Sequence, residues 1–113
     1  MAGNKVLVIN TDRTYEVKTI DNADYKTFMP MVGGYVEIVR PITEVLNSGQ
    51  CMIVNEEGLL VNLPINAIGT AIYGYGPIAG NVVIAREVMT PEGLDIVGLS
   101  DAEIEELKNV LIL

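Results

Sequence analysis

The sequence has no histidine, no tryptophan and a single cysteine, Cys51. Histidine has a pKa close to neutral pH, so much hydrolytic, nucleophilic and metal-dependent chemistry depends on it. Its absence excludes Ser-His-Asp catalysis, Cys-His catalysis and metal sites with a histidine ligand. Carboxylates, a few cations, five tyrosines and several asparagines remain, and this set of side chains suits binding better than catalysis. We therefore expect a protein that is not an enzyme and that uses neither a cofactor nor a metal.

A single cysteine cannot form an intramolecular disulfide, so nothing in the sequence requires an oxidising compartment. Cys51 precedes an apolar run and is predicted to be a buried hydrophobic residue, not a nucleophile. The apolar run after Lys5 is too short to cross a membrane, and no signal-peptide cleavage pattern precedes it. These features predict a cytoplasmic protein without membrane contact.

Positive charge is scarce, because 15 acidic residues stand against seven basic ones and the formal net charge is −8. Nucleic-acid polymers and anionic membranes are bound mainly through lysine and arginine, so the composition argues against both as partners. A small anionic ligand remains compatible with it, because one pocket needs only one or two arginines and some backbone N–H groups.

The chain is nevertheless apolar for its size, since 113 residues form one small domain of which 50% are hydrophobic. The mean hydropathy is +0.36. A homo-oligomer in which subunit contacts cover the surplus apolar surface explains this composition economically. A monomer with an unusually apolar core is the alternative.

Five segments are rich in β-branched residues or alternate between apolar and polar residues, as strands do. The first two flank the polar turn Thr11–Thr14 and predict a β-hairpin. The last contains four consecutive apolar residues, which predicts a central strand buried on both faces. The predicted strands cover residues 5–10, 15–20, 35–40, 50–55 and 81–86.

Shorter signals complete the predicted order of elements. Asp21 or Asn22 is positioned to cap a helix over 23–29, and Asn62 to cap a second helix over 66–73. Two glycines, Gly33 after the first helix and Gly58 in a tight turn, are predicted to adopt positive φ. Leu59–Val61 and 94–99 are predicted as short extended segments.

Ser100 and Glu103 form a capping box that opens a third helix, which is predicted to run to about 107–110. Ile104, Leu107 and Leu111 are predicted to face inward, and the apolar end of the chain is predicted to pack against the sheet or a second subunit. The sequence thus predicts one α+β domain over residues 1–113, with a twisted, mainly antiparallel sheet of about five strands and two or three short helices.

The glycines at positions 74, 76 and 80 do not form a dinucleotide-binding loop, because a strand follows them where that motif needs a helix. Tyr73 and Tyr75 beside these glycines could stack on a base or ring, with a simple flexible turn as the alternative.

Arg40 and Arg86 each end an apolar strand, where a guanidinium could hold a phosphate or carboxylate. Surface ion pairs with Glu37, Glu44 or Glu87 are the alternative. Asparagines can read polar ligand edges or can cap helices and turns. The predicted ligand-binding residues are Tyr35, Arg40, Asn55, Asn62, Asn66, Tyr73, Tyr75, Asn81 and Arg86.

Five segments read in order carry a resemblance to a known family: GGYVE, NEEG, LPIN, AGNVVI and GLSDAEIEEL. This order resembles a family of small bacterial, plasmid and phage proteins known only as a domain of unknown function, and it spans nearly the whole chain. The family supplies no activity or catalytic residue. Its phage association implies a further expectation by analogy of type, namely an anti-defence sponge that sequesters a nucleotide second messenger at a homo-oligomer interface.

Two function classes therefore stay open at this point. The first is a non-enzymatic protein that binds a small nucleotide-like ligand, with arginines at the phosphates and tyrosines on the base. The second is an acidic inhibitor or adaptor that binds a basic host protein, for which salt-dependent association is the discriminating property.

Overall fold

The computed structural model describes residues 3–113 and shows an α+β domain, as the sequence predicts. Three helices accompany six strands. In chain order the elements are β1 (Lys5–Ile9), β2 (Tyr15–Thr19), α1 (Tyr25–Val32), β3 (Val36–Val39), β4 (Gln50–Asn55), α2 (Ala67–Tyr73), β5 (Val82–Thr90), β6 (Gly93–Val97) and α3 (Asp101–Leu111).

The strands form one sheet in the order β2-β1-β5-β4-β3, and every pairing is antiparallel. β5 is central, as its apolar sequence predicts: β1 and β4 flank its first half, and β6 pairs with its second half. β5 extends four residues beyond the predicted strand 81–86, because the turn after Thr90 folds the chain back as β6. Its second half and β6 therefore continue the sheet as a hairpin.

Alternating side chains of the sheet enter two separate cores. One core contains Leu7, Met52 and Ile84 and is covered by α2 and α3. The other contains Val8 and Ile53 and is covered by α1. The sheet is thus the middle of three layers, with α2 and α3 on one face and α1 on the other.

Cys51 is fully buried in the core under α1, as predicted. Burial raises the pKa of its thiol to about 12, so the thiol stays protonated and unreactive at neutral pH. Among residues 3–113, no helix is both long enough and apolar enough to span a membrane.

The predicted caps of the first two helices are wrong. Asp24 caps α1, because its carboxylate accepts a hydrogen bond from the Thr27 N–H at 3.0 Å, and the helix continues through Pro30. Asn66 caps α2 in place of Asn62, which lies in an exposed turn at φ 58°. In both cases the cap lies nearer to the helix than predicted, at the residue whose side chain reaches the third N–H beyond it.

Gly33 ends α1 at φ 81°, as predicted. Gly58 does not adopt positive φ; it is required because a Cβ there would lie 2.6 Å from the carbonyl oxygen of Ala79. The predicted strand Leu59–Val61 is wrong, because hydrogen-bonded turns such as Val61 N–H to the Glu57 carbonyl occupy this segment.

The capping box of α3 is confirmed, with both reciprocal hydrogen bonds between Ser100 and Glu103 present. Ile104 and Leu107 are buried, and Leu111 packs against the core. Burial of the whole apolar end against the sheet is wrong, because Ile112 is 91% exposed. The left-handed backbone of Ile112 turns the chain away at the end of α3 and leaves this side chain in solvent.

A cleft between α2 and α3 as the candidate functional site

The two arginines predicted to hold phosphates both lie against carboxylates. Arg86, on β5, contacts Glu103 of α3 through its Nε, 3.1 Å from Oε2, and through Nη2. Gln50 Nε2 donates to the same carboxylate at 3.1 Å. Arg40 pairs with Glu87. A ligand phosphate at either arginine would therefore have to compete with a protein carboxylate.

Burial raises the pKa of Glu103, but the hydrogen bonds from Arg86, Gln50 and the Ser100 N–H outweigh it and hold this pKa at about 2. Glu103 therefore joins α3 to the sheet as a charged group at neutral pH. Glu103 is the structural partner of Arg86, and the sequence around Arg86 alone does not reveal this pairing.

Three of the four predicted asparagines have side chains bonded within the fold. Asn66 donates to the carbonyls of Ile9 and Gly80 and accepts from the Gly69 N–H. Asn55 donates to the Val32 carbonyl at 3.1 Å and accepts from the Glu57 N–H at 2.8 Å. Asn81 accepts from the Thr11 N–H. Asn62 lies exposed in its turn.

The predicted tyrosines lie on separate parts of the surface. Tyr73 and Tyr75 are neighbours, with ring centroids 5.3 Å apart. Tyr73 and Asn55 line a cavity of about 240 Å³, whereas Tyr35 and Asn55 line a second one of about 220 Å³. The structure therefore does not bring the nine predicted residues together into one site.

A larger cleft lies between α2 and α3, with a volume of about 710 Å³. Volumes of about 300–1,000 Å³ are typical of small-molecule sites. Ile72 of α2 is buried in it, while Ala67 and Ala71 of the same helix stand one turn apart at its exposed edge. The cleft is lined by Arg13, Thr14, Tyr15, Val45, Ala67, Ile68, Ala71, Ile72, Val110, Leu111, Ile112 and Leu113.

The polar groups of this cleft come from the turn between β1 and β2. Arg13 is the cation of the lining, and no carboxylate side chain lines the cleft. Asp12 precedes Arg13, but it accepts hydrogen bonds from the Thr14 hydroxyl and N–H, which lower its pKa. Lys108 of α3 lies nearby, with Nζ 5.6 Å from the centroid of the Tyr15 ring.

None of the nine predicted residues lines this cleft, and sequence reasoning missed the residues that do. The spacing of Ile68 and Ile72 could have indicated an apolar helix face, since they recur at helical spacing on the predicted second helix. Arg13 gave no signal, because it reads as an ordinary member of a polar turn. Within residues 3–113, no group of three or more cysteine, aspartate or glutamate side chains is arranged to hold a metal ion.

Comparison with known proteins adds a family and a fold. No curated protein matches the sequence. A solved structure, that of the small RNA methyltransferase HEN1, matches with a TM-score of 0.63 at 14% sequence identity. The match covers 95% of this chain but only 16% of the methyltransferase chain, so it shows a shared fold for that portion alone. A family model, the domain of unknown function DUF3846, matches residues 4–112, and the chain therefore belongs to this family.

Proposed function

We propose that this protein is a non-enzymatic binding protein that holds a small anionic ligand in the cleft between α2 and α3. The observation that carries the proposal is the cleft itself, which has a volume of about 710 Å³ and is lined by apolar side chains of both helices and by Arg13. Apolar walls with a few converging polar groups are the usual composition of a small-molecule site.

The proposed function belongs to the class that the sequence predicts, but its site differs from the predicted ligand-binding residues. A ligand in this cleft needs no arginine to leave a carboxylate, whereas a ligand at Arg40 or Arg86 does. Sequestration of a nucleotide messenger, a homo-oligomeric state and a cytoplasmic location stay predictions. The cleft supports ligand binding in general and does not by itself select a nucleotide.

A variant that fills the cleft tests this proposal. Ala71 lines the cleft and is exposed, so Ala71→Trp places an indole in the cleft without disturbing a buried contact. The probe is 1-anilinonaphthalene-8-sulfonate, an aromatic sulfonate whose fluorescence rises in apolar surroundings. We expect Ala71→Trp to weaken its binding about tenfold or more, which corresponds to about 1.4 kcal/mol.

Ala102→Trp is the matched control, because Ala102 is an exposed alanine at the other end of α3 and does not line the cleft. This variant should bind the probe as the unmodified protein does. Equal binding by both tryptophan variants and the unmodified protein would show that the probe binds elsewhere and would contradict the proposed site.

An acidic adaptor that binds a basic protein is the second candidate, and one observation favours it. Leu59, Leu60 and Val61 form an exposed apolar segment in the turns after β4, with Leu60 80% exposed. Glu56 and Glu57 precede it, separated from it by Gly58, on a chain of net charge −8. Association with a basic protein that weakens with added salt and is lost in Leu60→Asp, but kept in Ala71→Trp, would favour this function.

A further inference from the structure

The polar and apolar residues that line the cleft come from different segments of the chain. Its cation, Arg13, and its hydroxyl, Thr14, come from the turn between β1 and β2, and its aromatic ring, Tyr15, is the first residue of β2. The other nine lining residues are alanine, valine, isoleucine or leucine. A ligand that fills this cleft must therefore offer an apolar body to the helices and its polar group to the turn.

The turn between β1 and β2 requires a left-handed backbone at Arg13, whose N–H donates to the Asn10 carbonyl at 3.1 Å. The φ of Arg13 is 72°, in the left-handed region that glycine and asparagine enter most easily. Residues other than these are strained there, and such strain concentrates at functional positions. The arginine side chain at this position is therefore not explained by the turn.

Arg13 also differs from the other two arginines in its partners. Arg40 and Arg86 lie within 4.0 Å of a carboxylate, whereas within residues 3–113 no carboxylate lies within that distance of Arg13. On a chain with about twice as many acids as bases, such a guanidinium in the lining of an apolar cleft is an open site for an anion.

We propose that the cleft takes a lipophilic monoanion: an apolar chain or ring that carries a single carboxylate or similar anionic group, which Arg13 binds. This inference rests on the proposed function and names its ligand class. The apolar body lies against Ile68, Ile72 and Leu111, and the anionic group lies at the turn, where Thr14 offers a hydroxyl.

The same lining disfavours a nucleotide second messenger as the ligand of this cleft. Such a molecule carries polar base edges, ribose hydroxyls and commonly more than one phosphate. The cleft has no asparagine, glutamine or acidic side chain to bond base edges, and one arginine to bind phosphate. Burying those polar groups against alkyl side chains without partners costs free energy.

The test compares decanoate with decan-1-ol, which share an alkyl chain and differ in charge. Binding to the full chain is measured by calorimetry at pH 7. We expect decanoate to bind about tenfold or more tightly than decan-1-ol, since charge-assisted hydrogen bonds to arginine exceed neutral ones. Arg13→Gln should remove this preference and leave decan-1-ol binding unchanged.

Two further variants separate loss of charge from loss of fold. Arg13→Gly also removes the guanidinium, but glycine adopts φ 72° without strain, so this variant should lose the preference while unfolding at an equal or higher temperature. Lys26→Gln removes one positive charge from an exposed position on α1, across the sheet from the cleft, and should keep the preference.

The outcomes distinguish this inference from the proposed function. Tighter decanoate binding that persists in Arg13→Gln overturns the role of Arg13, and equal binding of decanoate and decan-1-ol overturns the monoanion class. A third outcome is that decanoate does not bind, whereas a cyclic dinucleotide binds the unmodified protein and not Ala71→Trp. That outcome overturns the monoanion class, while the proposed ligand-binding function stands. Failure of decanoate, decan-1-ol and the naphthalene sulfonate alike contradicts both proposals.

Discussion

At the scale of single residues, arginines that look equivalent in the sequence differ in the groups that they contact in the fold. Arg86 joins the sheet to α3 through Glu103, Arg40 pairs with Glu87, and Arg13 faces the cleft. Spacing along the chain does not encode which carboxylate will approach which guanidinium, because those contacts depend on the crossing of distant elements. The sequence therefore predicts Arg40 and Arg86 as anion-binding residues, and it does not show that each of them lies against a carboxylate.

Glu103 predicts how stability depends on pH. Its pKa is about 2 in the folded protein against an ordinary 4.5, so the folded state binds fewer protons than the unfolded chain in this range. The resulting stabilisation is complete above about pH 4.5 and is lost as the pH falls toward 2. We expect the free energy of unfolding, measured with urea, to fall over this window.

Glu103→Gln isolates this effect, because glutamine keeps a similar shape and cannot titrate. Asp12 and Asp24 also have lowered pKa values and lose stabilising charge in acid, but they do so in both proteins. The difference in unfolding free energy between the two proteins should therefore shrink as the pH falls. A difference that stays constant from pH 6 to 3 would contradict the assigned pKa.

Asn66 predicts a stability effect at a position that the sequence offers as a ligand contact. Its side chain is 1% exposed and makes three hydrogen bonds. Asn66→Ala leaves buried backbone groups unpaired, each at a cost of about 1–3 kcal/mol, so we expect a loss of about 2–4 kcal/mol in urea unfolding.

Asn62→Gly is the matched control for Asn66. Asn62 is exposed at φ 58°, which glycine adopts freely, so its replacement should change the unfolding free energy by less than about 0.5 kcal/mol. A small effect at Asn66 would show that its hydrogen bonds are not required for the fold and would return it to the set of candidate ligand contacts.

At the scale of elements, the strands were predictable and several ends were not. Alternating apolar residues and β-branched runs predicted β1, β2, β3, β4 and the first half of β5. Such patterns arise because a strand buried on one face has apolar residues at every second position, and a strand buried on both faces has a continuous apolar run. The second half of β5 carries Arg86 and Glu87, and its extension depends on pairing with β6. Caps were misplaced where several asparagines or aspartates stood within reach of one helix, as before α1 and α2.

The capping box of α3 was the clearest local signal, and it predicts a measurable contribution. Ser100 Oγ accepts from the Glu103 N–H at 3.2 Å, so Ser100→Ala leaves this N–H without its side-chain partner. We expect a loss of about 1 kcal/mol in unfolding free energy. Ser48→Ala, in an exposed turn, is the control and should be close to neutral. Equal effects of the two substitutions would contradict the assigned cap.

At the scale of the whole molecule, the surplus of apolar residues remains on the surface in part. Met89 and Leu94 are opposite neighbours in the register of β5 and β6, and they are 75% and 57% exposed. Exposed apolar neighbours on this hairpin are compatible with the predicted homo-oligomer. We expect native mass spectrometry to show an oligomer that Met89→Glu with Leu94→Glu converts to a monomer.

If the double variant folds and forms the same oligomer, the subunit contact lies elsewhere. If the unmodified protein is a monomer, the predicted oligomer is wrong. Ser48→Glu, at an exposed turn position outside this hairpin, is the control for added negative charge. It should leave the mass distribution unchanged.

The location of the candidate site was not predictable from the sequence, because the cleft is made where three distant segments meet. More than fifty residues separate the turn 11–14 from α2, and more than thirty-five separate α2 from the end of α3. No motif links them, so only the packing of the helices on the sheet shows that they enclose one space.

The most direct test of the central claim is to locate a bound ligand by the amide chemical shifts of the protein in a ¹H–¹⁵N NMR titration with decanoate. We predict that shift changes concentrate at Arg13, Ile68, Ala71 and Leu111, and that Ala71→Trp suppresses them. Saturable changes centred on Tyr35, Arg40 or Asn81, or no saturable changes at all, would contradict the cleft between α2 and α3 as the binding site.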